Sequence, residues 1–213
     1  TNPKPGVFVV DFGQKLAGVA ELWLPDNLKA GQPVTLTFTE ELNEDGTVYT
    51  DTLRSAKQTD TYVATGDERD LDAWMPEFTY HGFRYCLVWG ITQEQATGEL
   101  LTYRVMNTDL ADRGGFHCSD EVVNKLQRMT EIATLANFYH FPTDCPHREK
   151  NGWTADAALS CEAALINFDP ERNYREWLRN ICKAQDGRGS LPGIIPTGGW
   201  GFAWGNGPAW DCV

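Results

Sequence analysis

The sequence contains no apolar run long enough to cross a membrane and no cluster of basic residues. Lys and Arg total 18 against 30 Asp and Glu, which gives a formal net charge of −12 over 213 residues. Nucleic acids and anionic membranes bind clustered Lys and Arg, so this balance argues against both as partners. No charged-then-apolar secretory leader opens the chain, and the compartment, whether cytoplasmic or periplasmic and secreted, stays open.

The cysteines are scattered along the chain, with no C-x-x-C pair among the six. They occupy positions 86, 118, 145, 161, 182 and 212. Without paired spacing a zinc site is not indicated, and an even count in a chain of this length is weak evidence for disulfides. We predict that most of them are buried thiols that behave as small apolar residues. A lone histidine beside carboxylates, His147, is interpreted as a bystander, so we expect no metal and no cofactor.

The first half of the sequence has the pattern of strands joined by turns. Residues 34–39 alternate strictly between polar and apolar, as a half-buried strand does. The segment 43–46 ends in glycine and is typical of a turn. Further strands are predicted at 6–13, 59–64, 83–89 and 100–105. Because no helical spacing separates them, these strands predict an antiparallel β-sandwich.

Helical spacing replaces the strand pattern between residues 107 and 119. Ser119 is the predicted N-cap of a first helix, followed by two acidic residues near the positive helix end. This helix is predicted to run to about Phe138, with an apolar stripe at Val122, Leu126, Met129, Ala133 and Ala136.

Two more helices are predicted downstream. An Ala-rich helix covers residues 157–165, and Asp169 is the predicted N-cap of a third helix with Pro170 at its first helical position. From residue 187 on, the sequence is rich in Gly, Pro and Trp and is predicted to be loop. Strands followed by helices indicate two domains rather than a βαβ sheet, with bounds of 1–107 and 108–213.

An acidic segment separates the first two predicted helices and holds Asp144, Glu149 and Asp156. Its Pro146 and Gly152 predict a rigid, irregular loop with a flexible joint before the tryptophan that follows. A loop that presents carboxylates beside an aromatic side chain suits a polyol such as a sugar, and neighbouring carboxylates can keep one of them protonated. An acidic, solvated surface loop is the alternative, and composition alone favours it.

Four motifs occur in the order in which one enzyme family carries them. The central motif reads DCPHRE at 144–149 and GWTAD at 152–156. Upstream stand LRSAKQTDTY at 53–62 and FTYHGFRY at 78–85, and PAWD follows at 208–211. Together these motifs resemble the signatures of bacterial α-L-rhamnosidases of glycoside hydrolase family 78.

The resemblance implies a fold and a reaction. The fold is an α+β multidomain arrangement, an antiparallel β-sandwich followed by the N-terminal part of an (α/α)6, or six-hairpin, barrel. The reaction is hydrolysis of terminal α-L-rhamnosides with inversion, so the expected ligand is a rhamnose-containing glycoside. Inversion uses two carboxyl groups about 6.5–9.5 Å apart, which leaves room for a water molecule on the far face of the sugar.

Residue roles follow from position in these motifs. Glu149 matches the family's general acid, and neighbouring aspartates would keep such a group protonated by like-charge repulsion. The residues that match the rhamnose-binding positions are Asp144, Arg148, Trp153, Asp156, Trp210 and Asp211. Trp153 as plain core, and Trp210 with Asp211 as the anchor of a helix end, remain open as alternatives.

The general base is the part of the family's machinery that no residue here matches. In the family this base is a glutamate far downstream. A barrel of twelve helices needs about 300 residues, whereas residues 119–213 are enough for about three helices. We therefore expect a rhamnosidase fragment that is inactive or nearly so alone and that self-associates through its incomplete barrel. A non-catalytic carbohydrate-binding protein is the alternative function.

Overall fold

The structure, a computed structural model, describes residues 4–68 and 72–196. Its chain divides into two compact units, residues 1–106 and 107–213. The first unit is built mainly of strands and the second mainly of helices. The motif at 208–211, with Trp210 and Asp211, lies outside the described residues.

The first unit is an antiparallel sheet. Its strands are β1 (Val7–Trp23), β2 (Pro33–Thr39), β3 (Thr59–Val63), β4 (Ala73–Trp74), β5 (His81–Trp89) and β6 (Leu101–Val105), with a short 3-10 helix at Asp51–Leu53. The hydrogen-bonded order is β3-β2-β5-β1-β4, and β6 pairs with β1 as well. Each of these pairs is antiparallel, as the alternating sequence pattern predicts.

Strand β1 is longer than the predicted strand at 6–13, because Gly13 does not end it. The pairing register with β5 shifts between Asp11 and Leu16, so Gly13 lies at a β-bulge with φ of 78°. The Asp11 carboxylate accepts from the Gly13 N–H at 2.8 Å and from Arg84 Nε and Nη2 at 2.7 and 2.8 Å. The Arg84 hydrogen bond lowers the pKa of Asp11. Asp11 thus braces the bulge, and the strand continues beyond it.

Gly18 is the point at which β1 passes from one partner to another. It pairs with His81 of β5 and with Val105 of β6. A Cβ at Gly18 would collide with the backbone carbonyl of Arg104. Glycine is therefore required at this position by the close approach of the neighbouring backbone.

Aromatic side chains form the centre of the first unit. Phe83 is fully buried, and its ring lies 4.5 Å from that of Phe38 and 4.2 Å from that of Tyr103. His81 stacks on Phe38 at 4.6 Å, and its Nε2 lies 2.9 Å from Asp60 Oδ2. One ring nitrogen of this buried imidazole has a carboxylate partner and the ring stacks on a core side chain, so His81 acts in packing.

The helices described in the second unit surround a small apolar cluster. They are α1 (Glu121–Ala136), α2 (Thr154–Asn167) and α3 (Glu171–Ala184), with a hairpin of β7 (Phe138–Tyr139) and β8 (Phe141–Pro142) between the first two. Leu110, Phe138 and Phe168 form the buried cluster, and Leu135 and Tyr174 pack against it. None of the described helices has the length and apolarity that a membrane crossing needs.

Both predicted helix caps are wrong by one residue. Asp120, not Ser119, caps α1, since its carboxylate accepts from the N–H groups of Val122 and Val123 at 2.8 and 3.4 Å. Pro170 occupies the N-cap position of α3, one residue after the predicted Asp169. Sequence alone does not separate adjacent residues that could each cap a helix.

The predicted apolar stripe of α1 faces solvent. Val122, Leu126 and Met129 are 75, 62 and 66% exposed, and α1, described along its whole length, buries none of its side chains. Periodic apolar residues normally mark the face that a helix packs against its neighbours. Within the described residues, Val122, Leu126 and Met129 instead form an exposed apolar surface.

Candidate active site

The acidic segment is a loop closed by Asp144. The Asp144 N–H donates to the Asn151 carbonyl at 3.0 Å, and the Asn151 N–H donates back to Asp144 Oδ1 at 2.9 Å. Lys150, just before this closure, has φ of 55°, in the left-handed region that turns the chain. Because one oxygen of Asp144 is engaged in the closure, this side chain shapes the loop as well as lining it.

Cys145 connects Asp144 to the backbone of Glu149. Its thiol donates to Asp144 Oδ2 at 2.9 Å, and its sulfur accepts from the Glu149 N–H at 3.4 Å. Burial, followed by the hydrogen bond to Asp144, raises the pKa of Cys145. The group is therefore held as a thiol, which is the form that can donate to a carboxylate.

The other described cysteines differ in exposure. They are free thiols, and Cys86 is buried like Cys145, whereas Cys118 and Cys161 are half-buried and Cys182 is exposed. Cys212 lies outside the described residues. The prediction that most cysteines are buried is wrong for the described part of the chain.

Glu149 is held by its side chain as well as by its backbone. Its Oε2 accepts from Trp153 Nε1–H at 2.8 Å, and its Oε1 lies 3.9 Å from Arg148 Nε. The Glu149 side chain is 22% exposed, so it is partly enclosed and still reachable from solvent. The contact with Arg148 is longer than a hydrogen bond and acts through charge.

Gly152 is a site of close backbone approach rather than the predicted flexible joint. A Cβ on Gly152 would collide with the Ile195 carbonyl, and the Ile195 N–H donates to the Gly152 carbonyl at 2.8 Å. The Thr154 N–H donates to the Gly193 carbonyl at 3.0 Å, and Trp153 pairs with Ile194 as an antiparallel bridge. The segment 193–195 thus fixes the backbone on both sides of Trp153.

Asp156 belongs to a helix and not to the loop. Helix α2 begins at Thr154, three residues before its predicted start, so Asp156 stands in the first turn. Partial desolvation of the carboxyl group raises the pKa of Asp156, although the residue as a whole is exposed, and the negative charges of Asp144 and Glu149 raise it further. Asp156 therefore lies close enough to Asp144 and to Glu149 for like-charge repulsion.

This repulsion gives a prediction for stability. A carboxyl group whose pKa is raised on folding costs stability as the pH rises from its ordinary value of 3.8, because the folded state must then hold a disfavoured charge. Asp156→Asn removes that charge, so we expect a higher Tm than the unsubstituted chain at pH 7 and no difference at pH 3. Thermal unfolding followed by circular dichroism at the two pH values measures this.

The matched control is Glu162→Gln, because Glu162 is an exposed carboxyl group on the same helix. It should leave Tm unchanged at both pH values. An Asp156→Asn variant that is less stable at pH 7 than at pH 3, relative to the unsubstituted chain, would contradict the charge argument.

The loop and the start of α2 bring together the predicted site residues that the structure describes, namely Asp144, Arg148, Glu149, Trp153 and Asp156. The sequence interpretation missed the contacts of Cys145 and the segment 193–195. The position of Cys145 inside the motif at 144–149 could have indicated that it contacts the site residues on either side of it. Nothing in a Gly/Pro-rich stretch indicated that its two isoleucines would be buried against the loop.

His147 and the carboxyl groups of the loop do not form a metal-binding cluster among the described residues. His147 is buried, and within 4–68 and 72–196 no group of three or more His, Cys, Asp or Glu side chains could hold a metal ion. The carboxyl groups of the loop are instead engaged with N–H and S–H donors.

Comparison with known families identifies both halves of the chain. Residues 1–107 match the bacterial alpha-L-rhamnosidase concanavalin-like domain. Residues 111–213 match the bacterial alpha-L-rhamnosidase 6 hairpin glycosidase domain. The chain thus consists of a concanavalin-like sandwich domain joined to the start of a six-hairpin glycosidase domain. This confirms the predicted fold class. The chain belongs to the bacterial α-L-rhamnosidase family, as the motifs indicate.

Curated relatives carry the same family name. An alpha-L-rhamnosidase of Streptomyces avermitilis is 38% identical over 212 residues, which cover 95% of this chain and 20% of the relative. One from Formosa agariphila is 33% identical over 208 residues, covering 93% and 22%. The chain spans about a fifth of the length of these relatives.

Solved structures agree in fold. The crystal structure of a Streptomyces avermitilis alpha-L-rhamnosidase complexed with L-rhamnose matches with a TM-score of 0.87 and 37% identity, over 97% of this chain and 19% of that one. The alpha-L-rhamnosidase from Dictyoglumus thermophilum matches with a TM-score of 0.84 and 38% identity, over 92% and 22%.

Proposed function

We propose that the protein is an inverting α-L-rhamnosidase and that this chain carries its general acid, Glu149. Residues 1–107 would be its sandwich domain and residues 108–213 the N-terminal part of its helical catalytic domain. Membership of the α-L-rhamnosidase family supports the reaction class. The general base would lie on a part of the family fold that this chain does not match.

The observation that carries the proposal is the environment of Glu149. Its carboxyl group is partly enclosed, oriented by the Trp153 indole, and close enough to Asp156 for the two charges to interact. A general acid needs this kind of position, within reach of a ligand yet held in one orientation.

In the proposed reaction, the Glu149 carboxyl group gives its proton to the glycosidic oxygen as the bond to the anomeric carbon breaks. A water molecule attacks from the opposite face and loses its proton to the general base. The carboxylates of Asp144 and Asp156 would stabilise the positive charge that develops on the sugar. One water is consumed, and the released sugar has the opposite anomeric configuration.

The proposed ligand is a rhamnose-containing glycoside. The relative from Streptomyces avermitilis was solved in complex with L-rhamnose. In this chain, Asp144, Arg148 and Asp156 would bind sugar hydroxyls through charge-assisted hydrogen bonds. The face of Trp153 would lie against sugar C–H groups. Trp210 and Asp211 would complete the binding residues.

Product stereochemistry tests the proposal directly. The protein expressed from its complete coding sequence is incubated with an aryl α-L-rhamnoside, and the anomeric protons of released rhamnose are followed by NMR. We expect β-L-rhamnose first, with the α anomer appearing later by mutarotation. Release of the α anomer first would overturn inversion, and binding without any hydrolysis would favour a non-catalytic carbohydrate-binding protein.

The 213-residue chain by itself should behave differently. Without a general base, its turnover of the same substrate should be lower by about 10²–10⁴-fold than that of the protein from the complete coding sequence.

We also propose that the exposed α1 stripe joins two copies of the chain, which sedimentation equilibrium would show as a concentration-dependent mass. Full turnover by a monomeric chain would contradict both expectations.

A further inference from the structure

The indole of Trp153 faces an oxygen of the proposed general acid. Trp153 Nε1–H donates to Glu149 Oε2 at 2.8 Å, a distance of ordinary hydrogen-bond length. The residue was expected to act through its aromatic face, as a surface for the sugar. The hydrogen bond gives it a second role that a sugar-binding surface does not require.

An indole N–H can donate a hydrogen bond and cannot accept one. The oxygen that it faces must therefore be an acceptor whether Glu149 is ionised or protonated. In the protonated form, the carbonyl oxygen is a stronger acceptor than the hydroxyl oxygen, so this hydrogen bond is strongest when Oε2 is the carbonyl oxygen and the acidic hydrogen lies on Oε1. The hydrogen bond thus favours Oε1 over Oε2 as the oxygen that delivers the proton.

We propose that Trp153 is a positioning residue for the general acid, reserving Oε2 of Glu149 as an acceptor so that the transferable proton resides on Oε1. This inference rests on the proposed role of Glu149. It assigns to the N–H of Trp153 an effect on proton delivery that is separate from any contact of its ring with substrate.

The backbone around Trp153 is built to hold the indole in place. Gly152 and Thr154 are hydrogen-bonded to the segment 193–195 on either side of it. That segment is itself held from α3, where the buried Trp177 donates its indole N–H to the Ile195 carbonyl at 2.7 Å. Because the same carbonyl lies against Gly152, α3 supports the position from which Trp153 reaches Glu149. A small displacement of a catalytic group is known to cost about 100-fold in rate.

The test distinguishes the effect of the Trp153 N–H from the effect of its aromatic ring. In the protein from the complete coding sequence, Trp153→β-(3-benzothienyl)alanine replaces the N–H by sulfur and keeps a two-ring face of nearly the same size. We expect kcat to fall by about tenfold to a hundredfold while KM stays within about twofold. Trp153→Phe should lower kcat by at least as much. A KM increase with unchanged kcat would show that Trp153 acts only as a binding surface and would overturn the inference.

Two controls make the result specific. Trp89→Phe removes an exposed indole in the first unit and should leave kcat unchanged. Glu149→Gln tests the proposed function itself: if that variant keeps its turnover, the general acid is misassigned. If Glu149→Gln loses turnover and the benzothienyl variant does not, the positioning role alone fails.

A measurement on the 213-residue chain tests the hydrogen bond without depending on turnover. With ¹⁵N-labelled tryptophan, the Trp153 indole signal is identified by its absence in Trp153→Phe. It should move on Glu149→Gln, which replaces the carboxylate acceptor by a neutral amide oxygen, and stay in place on Glu162→Gln. If the position of the Trp153 indole signal is unchanged in both variants, the hydrogen bond to Glu149 is refuted.

Discussion

Glu149→Gln is expected to lower kcat for α-L-rhamnosides by about 10²–10⁴-fold in the protein expressed from its complete coding sequence. Glutamine keeps the size of the side chain and its acceptor oxygen for the Trp153 N–H, but it has no proton of suitable acidity to give. Because binding contacts are retained, KM should change by no more than about twofold. Steady-state hydrolysis of aryl and alkyl rhamnosides measures the effect.

The choice of leaving group distinguishes a general acid from other roles. A nitrophenolate departs without much protonation, whereas an alkoxide needs the proton, so the loss should be much larger for alkyl rhamnosides. Equal losses for both substrates would indicate that Glu149 does not protonate the leaving oxygen. Glu162→Gln, which alters an exposed carboxyl group on α2, provides the control and should match the unsubstituted protein.

Phe83→Ala should lower the free energy of unfolding of the first unit by about 3–5 kcal/mol. Phe83 is fully buried, and its ring contacts Phe12, Phe38 and Tyr103 at centroid distances of 5.7, 4.5 and 4.2 Å. Truncation leaves a cavity among rings that come from different parts of the sheet. Close-packed neighbours refill such a space only in part, so the lost contacts are not recovered.

Urea unfolding of the 213-residue chain, followed by circular dichroism, measures this loss. The control is Phe78→Ala, because Phe78 has the same side chain and is fully exposed, so its replacement should change stability by less than about 0.5 kcal/mol. A loss below about 1 kcal/mol at Phe83 would mean that the aromatic centre is not the main support of the sheet.

The sequence predicts the strand-rich half well because one strand alternates strictly and the others are short β-branched and aromatic runs bounded by turn residues. Residues 34–39 and 59–63 are strands as expected. The second half of β1 escaped prediction because Gly13 was interpreted as an end, whereas a bulge braced by Asp11 carries the strand past it. The partner that makes this possible, Arg84, is distant in sequence and invisible to local patterns.

The helical half is predicted less accurately for a different reason. Helix existence follows from spacing, but caps depend on which adjacent polar group reaches an N–H, as Asp120 does. The α1 stripe has the correct period and yet remains exposed, since periodicity identifies an apolar face without supplying the surface that covers it. Local sequence therefore predicts which segments form helices but not which surfaces those helices pack against.

Within the site, the motif places Asp144, Glu149 and Trp153 in one short stretch, and the structure supplies their hydrogen bonds. The role of Gly152 could not be predicted, because it depends on the Ile195 carbonyl, which arrives from a stretch interpreted as loop. The link through Cys145 was also missed, since a thiol was expected to be only a small apolar side chain.

The pairing of β1 has a consequence for the order of events during synthesis. Strand β1 is made first, yet its ladders are formed with β5 and β6, and its earlier partner β4 contributes only two residues. Until residues 81–105 leave the ribosome, the apolar side chains of β1 have almost no ladder to join. The first unit can therefore form its sheet only after these distant segments have been synthesised, and such non-local pairing slows folding. Until then, the apolar side chains of β1 are exposed and can be bound by chaperones.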